Sequence, residues 1–273
     1  MRYSLQRKSE PKRLPGKRSN LELLQAVAKT SDAERGRGAI LLVGRRDWRS
    51  IQVRRAQAPL RYDRRSSYFS HAALITDWDP NKPERSRGLE ASLDPDRGAA
   101  AVPERNGVTP FRLTRYLDDE TYPNLALITL DLKATQEPGA SGKPVERSGG
   151  ERKRELIHAA RNPCRRRDDF PLWDGIGEWL KYTYSPERTP NPLLQGVSLP
   201  GAAFCEYAYA SIQIDITPAA SNRQTCPELL WATFLRWQEG LLATSVDRIE
   251  ILVVVRDEYG IAPEPLSMEL GLR

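Results

Sequence analysis

Four apolar runs set the limits on what this chain folds into: "GAILLVG" (38–44), "YFSHAALITD" (68–77), "NLALITLDL" (124–132) and "VDRIEILVVVRD" (246–257). Each is short, rich in Ile, Val and Leu, and bounded by turn-prone or charged residues, which is the pattern of a buried strand. Between the third and fourth runs the period changes. "FPLWDGIGEWLKYTY" (170–184) and "CPELLWATFLRWQE" (226–239) carry apolar residues at helical spacing. In the second, Pro227 takes the first helical position and Glu228 the first turn. "RELIHAAR" and "PGAAFCEYAYASIQID" add two more expected helices. Strands first, helices next and a closing strand predict an α+β fold, a small antiparallel sheet packed with helices, rather than an alternating parallel sheet.

Shorter segments complete the expected layout. Asn20 is a plausible N-cap for a helix over "LELLQAVAK". "SIQVRR" reads as an edge-like strand, "LEAS" as a short apolar piece, and "NGVTPFRLTRYLDD" as a turn or short strand followed by a helix. The expected organisation is a basic, partly disordered extension with a short helix over 1–35, a domain over 36–256, and a tail over 257–273. Residues 136–153 are rich in Gly, Pro, Ser and charge and are expected to be a mobile insertion.

Charge is unevenly spread. Residues 1–65 hold 18 Lys and Arg against 6 Asp and Glu, while the remainder holds 24 against 30. This basic quarter suits an acidic protein or an anionic surface, with Arg45, Arg46, Arg54 and Arg55 as the natural contacts. A dedicated nucleic-acid binder is not expected, because no aromatic residues interleave the basic stretch and no recognition motif is present. No apolar run approaches the roughly 18 residues of a membrane span. The start of the chain lacks the apolar segment of a secretory signal, so a cytoplasmic protein is expected.

Three cysteines, Cys164, Cys205 and Cys226, lie far apart and form no C-x-x-C pair, so neither a metal nor another cofactor is expected. The chain has two histidines, and one of them, His71, interrupts an apolar strand. It is either a core histidine satisfied by a hydrogen bond or part of a site. Cys205 lies where small residues lead into a helix, and is either a small buried hydrophobe or a nucleophile. A thiol attacks only as thiolate, and a helix N-terminus with a nearby imidazole lowers its pKa. A third polar group, for which Glu90 in "GLEAS" is the candidate, would hold the imidazole in one tautomer. His158 with Cys164 is a competing pair, and Trp78 with the loop 79–88 is a candidate for lining a cleft. Cys226 stands where a serine N-cap is expected.

The ordered series "GAILLVG", "FSHAALI", "GLEAS", "NGVTPFRLTRYL", "NLALITLDL", "FPLWDGIGEWL", "FCEYAYASI" and "TCPELL" resembles the permuted papain-like hydrolases of the NlpC superfamily, especially the YiiX-like branch. In that family the histidine strand precedes the cysteine helix. The resemblance covers roughly residues 36–256 and implies a circularly permuted papain-like fold with Cys205 as nucleophile, His71 as general base and Glu90 as the third polar residue. It implies a cysteine hydrolase that cleaves an amide, isopeptide or ester bond of a peptide, protein or acyl-ester substrate through an acyl-enzyme. An acyltransferase of the same fold is the first alternative. Glu206 and Tyr207 replace the Ser-Glu that usually follows the family cysteine, which favours a second alternative, an inactive binding module for an acidic partner.

Overall fold

Apolar runs of this kind bury on both sides only if a sheet is covered twice, and the computed structural model shows that arrangement. It describes residues 12–13, 19–61, 63–93, 107–138, 144–163, 172–218, 225–240 and 246–257. The strands are β1 (Lys12–Arg13), β2 (Ile40–Gly44), β3 (His71–Asp77), β4 (Arg87–Ala91), β5 (Val108–Arg112), β6 (Asn124–Leu132), β7 (Thr135–Pro138), β8 (Pro144–Arg147) and β9 (Val246–Val255). The helices are α1 (Asn20–Ala28), α2 (Ala33–Gly36), α3 (Trp48–Ala56), α4 (Gly149–Arg161), α5 (Leu172–Tyr184), α6 (Pro200–Ala210) and α7 (Pro227–Gln238).

One sheet of seven strands runs in the order β1-β9-β6-β2-β3-β4-β5, and β7 pairs with β8 as a separate hairpin. All pairs in the large sheet are antiparallel except β1 with β9. Alternate residues face opposite layers. Ile40, Leu42, Ala72, Leu74, Ala126 and Ile128 pack with Leu156, Trp179, Phe204, Trp231 and Phe234 of α4 to α7. Leu41, Val43, Ala73, Ile75, Leu125 and Leu127 pack on the other side with Leu23, Leu24 and Val27 of α1. The result is a mixed fold, an antiparallel sheet packed against helices. Among the described residues, no helix is long and apolar enough to cross a membrane.

Several local expectations change. "SIQVRR" is helical, inside α3, because Asp47 caps it by accepting from the Arg49 and Ser50 amides at 3.1 and 3.2 Å. Ile51, Gln52, Val53 and Arg54 are all buried while Trp48 is half exposed, so polarity does not follow burial and no apolar period shows. The helix expected after β5 is a single 3₁₀ turn, Leu113–Tyr116. The insertion 136–153 contains the β7–β8 hairpin and the start of α4, where Ser148 and Glu151 form a capping box. Residues 139–143 lie outside the described ones. Within the basic extension, Lys12 and Arg13 pair with Leu252 and Val253 rather than standing apart from the fold.

The N-cap of α1 is Ser19, in a capping box with Glu22, and not Asn20. Asn20 is fully buried, and its side-chain amide donates to the Tyr116 and Tyr122 carbonyls at 2.8 and 2.9 Å. It ties α1 to the segment that carries the candidate site. Asn20→Ala strands two buried carbonyls, and each orphaned polar group costs about 1–3 kcal/mol. Urea unfolding should show a loss of at least about 1 kcal/mol, with the helix content of the folded state unchanged.

Candidate active site

Sheet register decides which side chains meet. Val43 stands opposite His71, and Ala73 opposite Glu90, so His71 and Glu90 are diagonal neighbours on adjacent strands, on one face. A slip of one residue would turn Glu90 to the opposite layer. His71 Nε2 lies 2.8 Å from Glu90 Oε2. Arg115 donates to Glu90 Oε1 and the Tyr116 hydroxyl donates to Glu90 Oε2. Glu90 is fully buried. Burial alone would raise its pKa, but the hydrogen bond and charge of His71, the charge of Arg115 and the Tyr116 hydroxyl together hold it below the usual carboxylate range. The same surroundings raise the Tyr116 phenol, first through burial and then through the charge of Glu90.

A carboxylate only accepts hydrogen bonds, so His71 donates from Nε2, and the neutral tautomer selected in this way would carry its lone pair on Nδ1, facing the other side. That side is a cleft lined by Arg45, Arg49, Ser70, Arg115, Tyr122 and the start of α6. The residue of α6 that meets Nδ1 is Gly201. A Cβ placed on it would lie 2.8 Å from Nδ1 and 2.9 Å from Cε1 of His71, and would also collide with the Ala72 carbonyl. Only a residue without a side chain permits this approach.

Cys205 lies four residues further along α6. It is fully buried in the core between sheet and helices, and burial pushes its thiol pKa far up. Burial therefore works against the expected thiolate. The first turn belongs to Pro200, Gly201 and Ala202, and Cys205 sits in the second. Glu206 does not face the cleft chemistry either. It accepts from Thr217 at 3.0 Å and from Thr225, holding the segment after α6 against the helix.

Compared with known protein families, with curated proteins and with solved structures, the chain matches none.

The other candidates lie elsewhere in the fold. His158 is exposed on α4, and Cys164 lies outside the described residues. Cys226 is the N-cap of α7 but makes no side-chain cap bond, and burial pushes its thiol up to about 12. Trp78 is buried against Gly36 and belongs to the α1 layer, not to the cleft. Of the four arginines of the basic quarter, Arg46 and Arg55 are exposed, Arg45 lines the cleft, and Arg54 is fully buried. Among the described residues, no group of three or more His, Cys, Asp or Glu could hold a metal ion.

Arg115, Tyr116, Tyr122 and Gly201 are site residues that the sequence reading does not single out. For Gly201 a signal exists. Pro200 marks the first helical position, so the residues able to present themselves at the N-terminus are its immediate successors, not one a turn later. For the other three no spacing signal exists, because a 3₁₀ turn and a loop bring them in.

Proposed function

We propose that the chain is a circularly permuted papain-like module, related to the NlpC type, which holds a ligand at the His71 cleft without cleaving it through a thiol. The observation that carries this reading is Gly201. It occupies the place across from Nδ1 where a thiol hydrolase needs its nucleophile, and the nearest thiol on that helix is buried a turn away. Bringing Cys205 to that place requires α6 to slide by about 6 Å, four residues at the helical rise. Any side chain brought to that place would meet His71 and the Ala72 carbonyl of β3. The basic residues around the cleft fit an acidic partner, as the charge distribution predicts.

The hydrolase or acyltransferase reading keeps one supporting observation, the His71–Glu90 pair itself, which has the geometry of a base oriented by a carboxylate. Alkylation kinetics separate the two. The rate of iodoacetamide labelling of each cysteine is measured against pH by peptide mass spectrometry, in the wild type and in His71→Ala. Slow labelling of Cys205 at neutral pH, with the same rate in the mutant, is the expected result. Fast, selective labelling with an apparent pKa well below the free-thiol value of about 8.5, lost in His71→Ala, would restore Cys205 as a nucleophile and end the non-hydrolytic reading.

A further inference from the structure

Asn20 turns its side chain and its backbone amide onto one bend of the chain, residues 116–123. The side-chain amide donates to the Tyr116 and Tyr122 carbonyls, and the backbone amide donates to Asp119 Oδ1 at 2.8 Å. Asn20 Oδ1 accepts from Arg256 at 3.0 Å, and Arg256 also reaches the Pro123 carbonyl and Asp119, each at 3.3 Å. Burying a polar side chain is costly unless its groups are paired. This position therefore calls for two donors and an acceptor on one short, neutral side chain, which asparagine supplies and aspartate does not.

The other side of the bend faces the candidate site. Tyr116 has its carbonyl on Asn20 and its hydroxyl on Glu90 Oε2, the oxygen that also accepts from His71 Nε2. Arg115, the residue before it, donates to the second carboxylate oxygen. The Tyr116 ring is buried, with Phe111 edge-on at 5.4 Å and Tyr122 edge-on at 5.0 Å. Only two rotatable bonds separate the hydroxyl from the backbone, and a closely packed interior transmits displacement, so a shift of the Tyr116 carbonyl is carried to Glu90. The Leu113–Tyr116 turn and the bend after it lie outside the strands, and tertiary contacts such as these set their place.

Taking the His71 cleft as a ligand site, with or without a working thiol, we infer that Asn20 is a positioning residue for it. Through Tyr116 it sets Glu90, and Glu90 sets the orientation and tautomer of His71. Helix α1, which by sequence belongs to the basic extension, is thereby part of the support of the site, and displacing it is felt at the imidazole.

Proton–nitrogen NMR of the imidazoles tests this on the full chain, which has two histidines. His158 is exposed on α4, so His158→Gln identifies the His71 signals. At mildly alkaline pH the wild type should show a His71 Nε2–H proton sheltered from solvent exchange by Glu90. Its exchange should quicken about tenfold in Asn20→Ala and in Tyr116→Phe, and again about tenfold, not a hundredfold, in the double variant, because both act through one hydroxyl. Val27→Ala, which loosens the packing of α1 further along the helix, should leave the rate within about twofold of wild type. Should Asn20→Ala not fold, Asn20→Ser, which keeps a donor for one of the two carbonyls, replaces it in the same cycle. An unchanged rate in the Asn20 variant, a hundredfold gain in the double variant, or an equal gain in Val27→Ala overturns the inference and leaves the cleft reading standing. A wild type without a sheltered Nε2–H proton overturns both.

Discussion

Glu90→Ala is expected to destabilise the protein by about 3–5 kcal/mol, the usual effect of removing one partner from a buried charge network. The carboxylate accepts from His71, Arg115 and Tyr116 and is fully buried, so its loss removes the acceptor that these three donors share. For a chain of this size the melting temperature should fall by roughly 2–4 °C per kcal/mol. Glu90→Gln keeps the volume and one acceptor oxygen and should cost less, while still removing the group that orients His71. The pH dependence has a definite sign. A carboxyl held below its ordinary range contributes stability that is fully present above the unfolded value and is lost as pH falls through the folded value. The acid limb of the wild-type stability curve should therefore flatten in Glu90→Gln. A Glu90→Ala protein within 1 kcal/mol of wild type would mean that the network contributes little to holding β3, β4 and the Leu113–Tyr116 turn together.

Arg54→Ala should be comparably severe, about 3–5 kcal/mol, although its neighbour Arg55 is exposed and should tolerate the same change within about 0.5 kcal/mol. Arg54 is fully buried on α3. Its Nε donates to the Ser67 carbonyl at 2.7 Å, and its two terminal nitrogens reach the carboxylate and carbonyl of Asp257 at 2.6 and 2.8 Å. Asn124 holds the same Asp257 by its backbone, donating to the carbonyl at 2.6 Å and accepting from the amide at 2.9 Å. The end of β9 is thus tied to α3 and β6 through one guanidinium and one amide. Paired denaturation curves of Arg54→Ala and Arg55→Ala measure the contrast. Equal, small losses would show that the Asp257 contact does not anchor the end of β9. The same contrast governs any charge-reversal study of the basic segment, since reversal at Arg54 unfolds the protein before it reports on a partner.

How much of this structure is open to sequence reasoning depends on where each signal resides. The strands β2, β3, β6 and β9 are legible because a sheet covered on both faces needs unbroken apolar runs. Pro227 and Glu228 mark α7 because helix starts have local chemistry of their own. Helix α3 is hidden because it buries Gln52 and Arg54 while exposing Trp48, so polarity along it does not follow its buried face. Asn20 misleads because a side chain suited to capping is used across the fold instead, on Tyr116 and Tyr122.

The site divides in the same way. His71 on an apolar strand and Glu90 in a short one are conspicuous by themselves, since each places a polar group where a sheet wants a hydrophobe. That they meet is a matter of register between β3 and β4, which no spacing in the chain expresses. That Gly201 rather than Cys205 faces the imidazole is decided by packing alone: the start of α6 comes so close to β3 that no side chain fits, and the cysteine enters the core one turn later. Sequence by itself determined the strands β2, β3, β6 and β9, most of the helices and the polar residues worth watching, because those signals are local. The tertiary structure decided which of them share a cleft, because distance across a fold depends on how close two backbones can come.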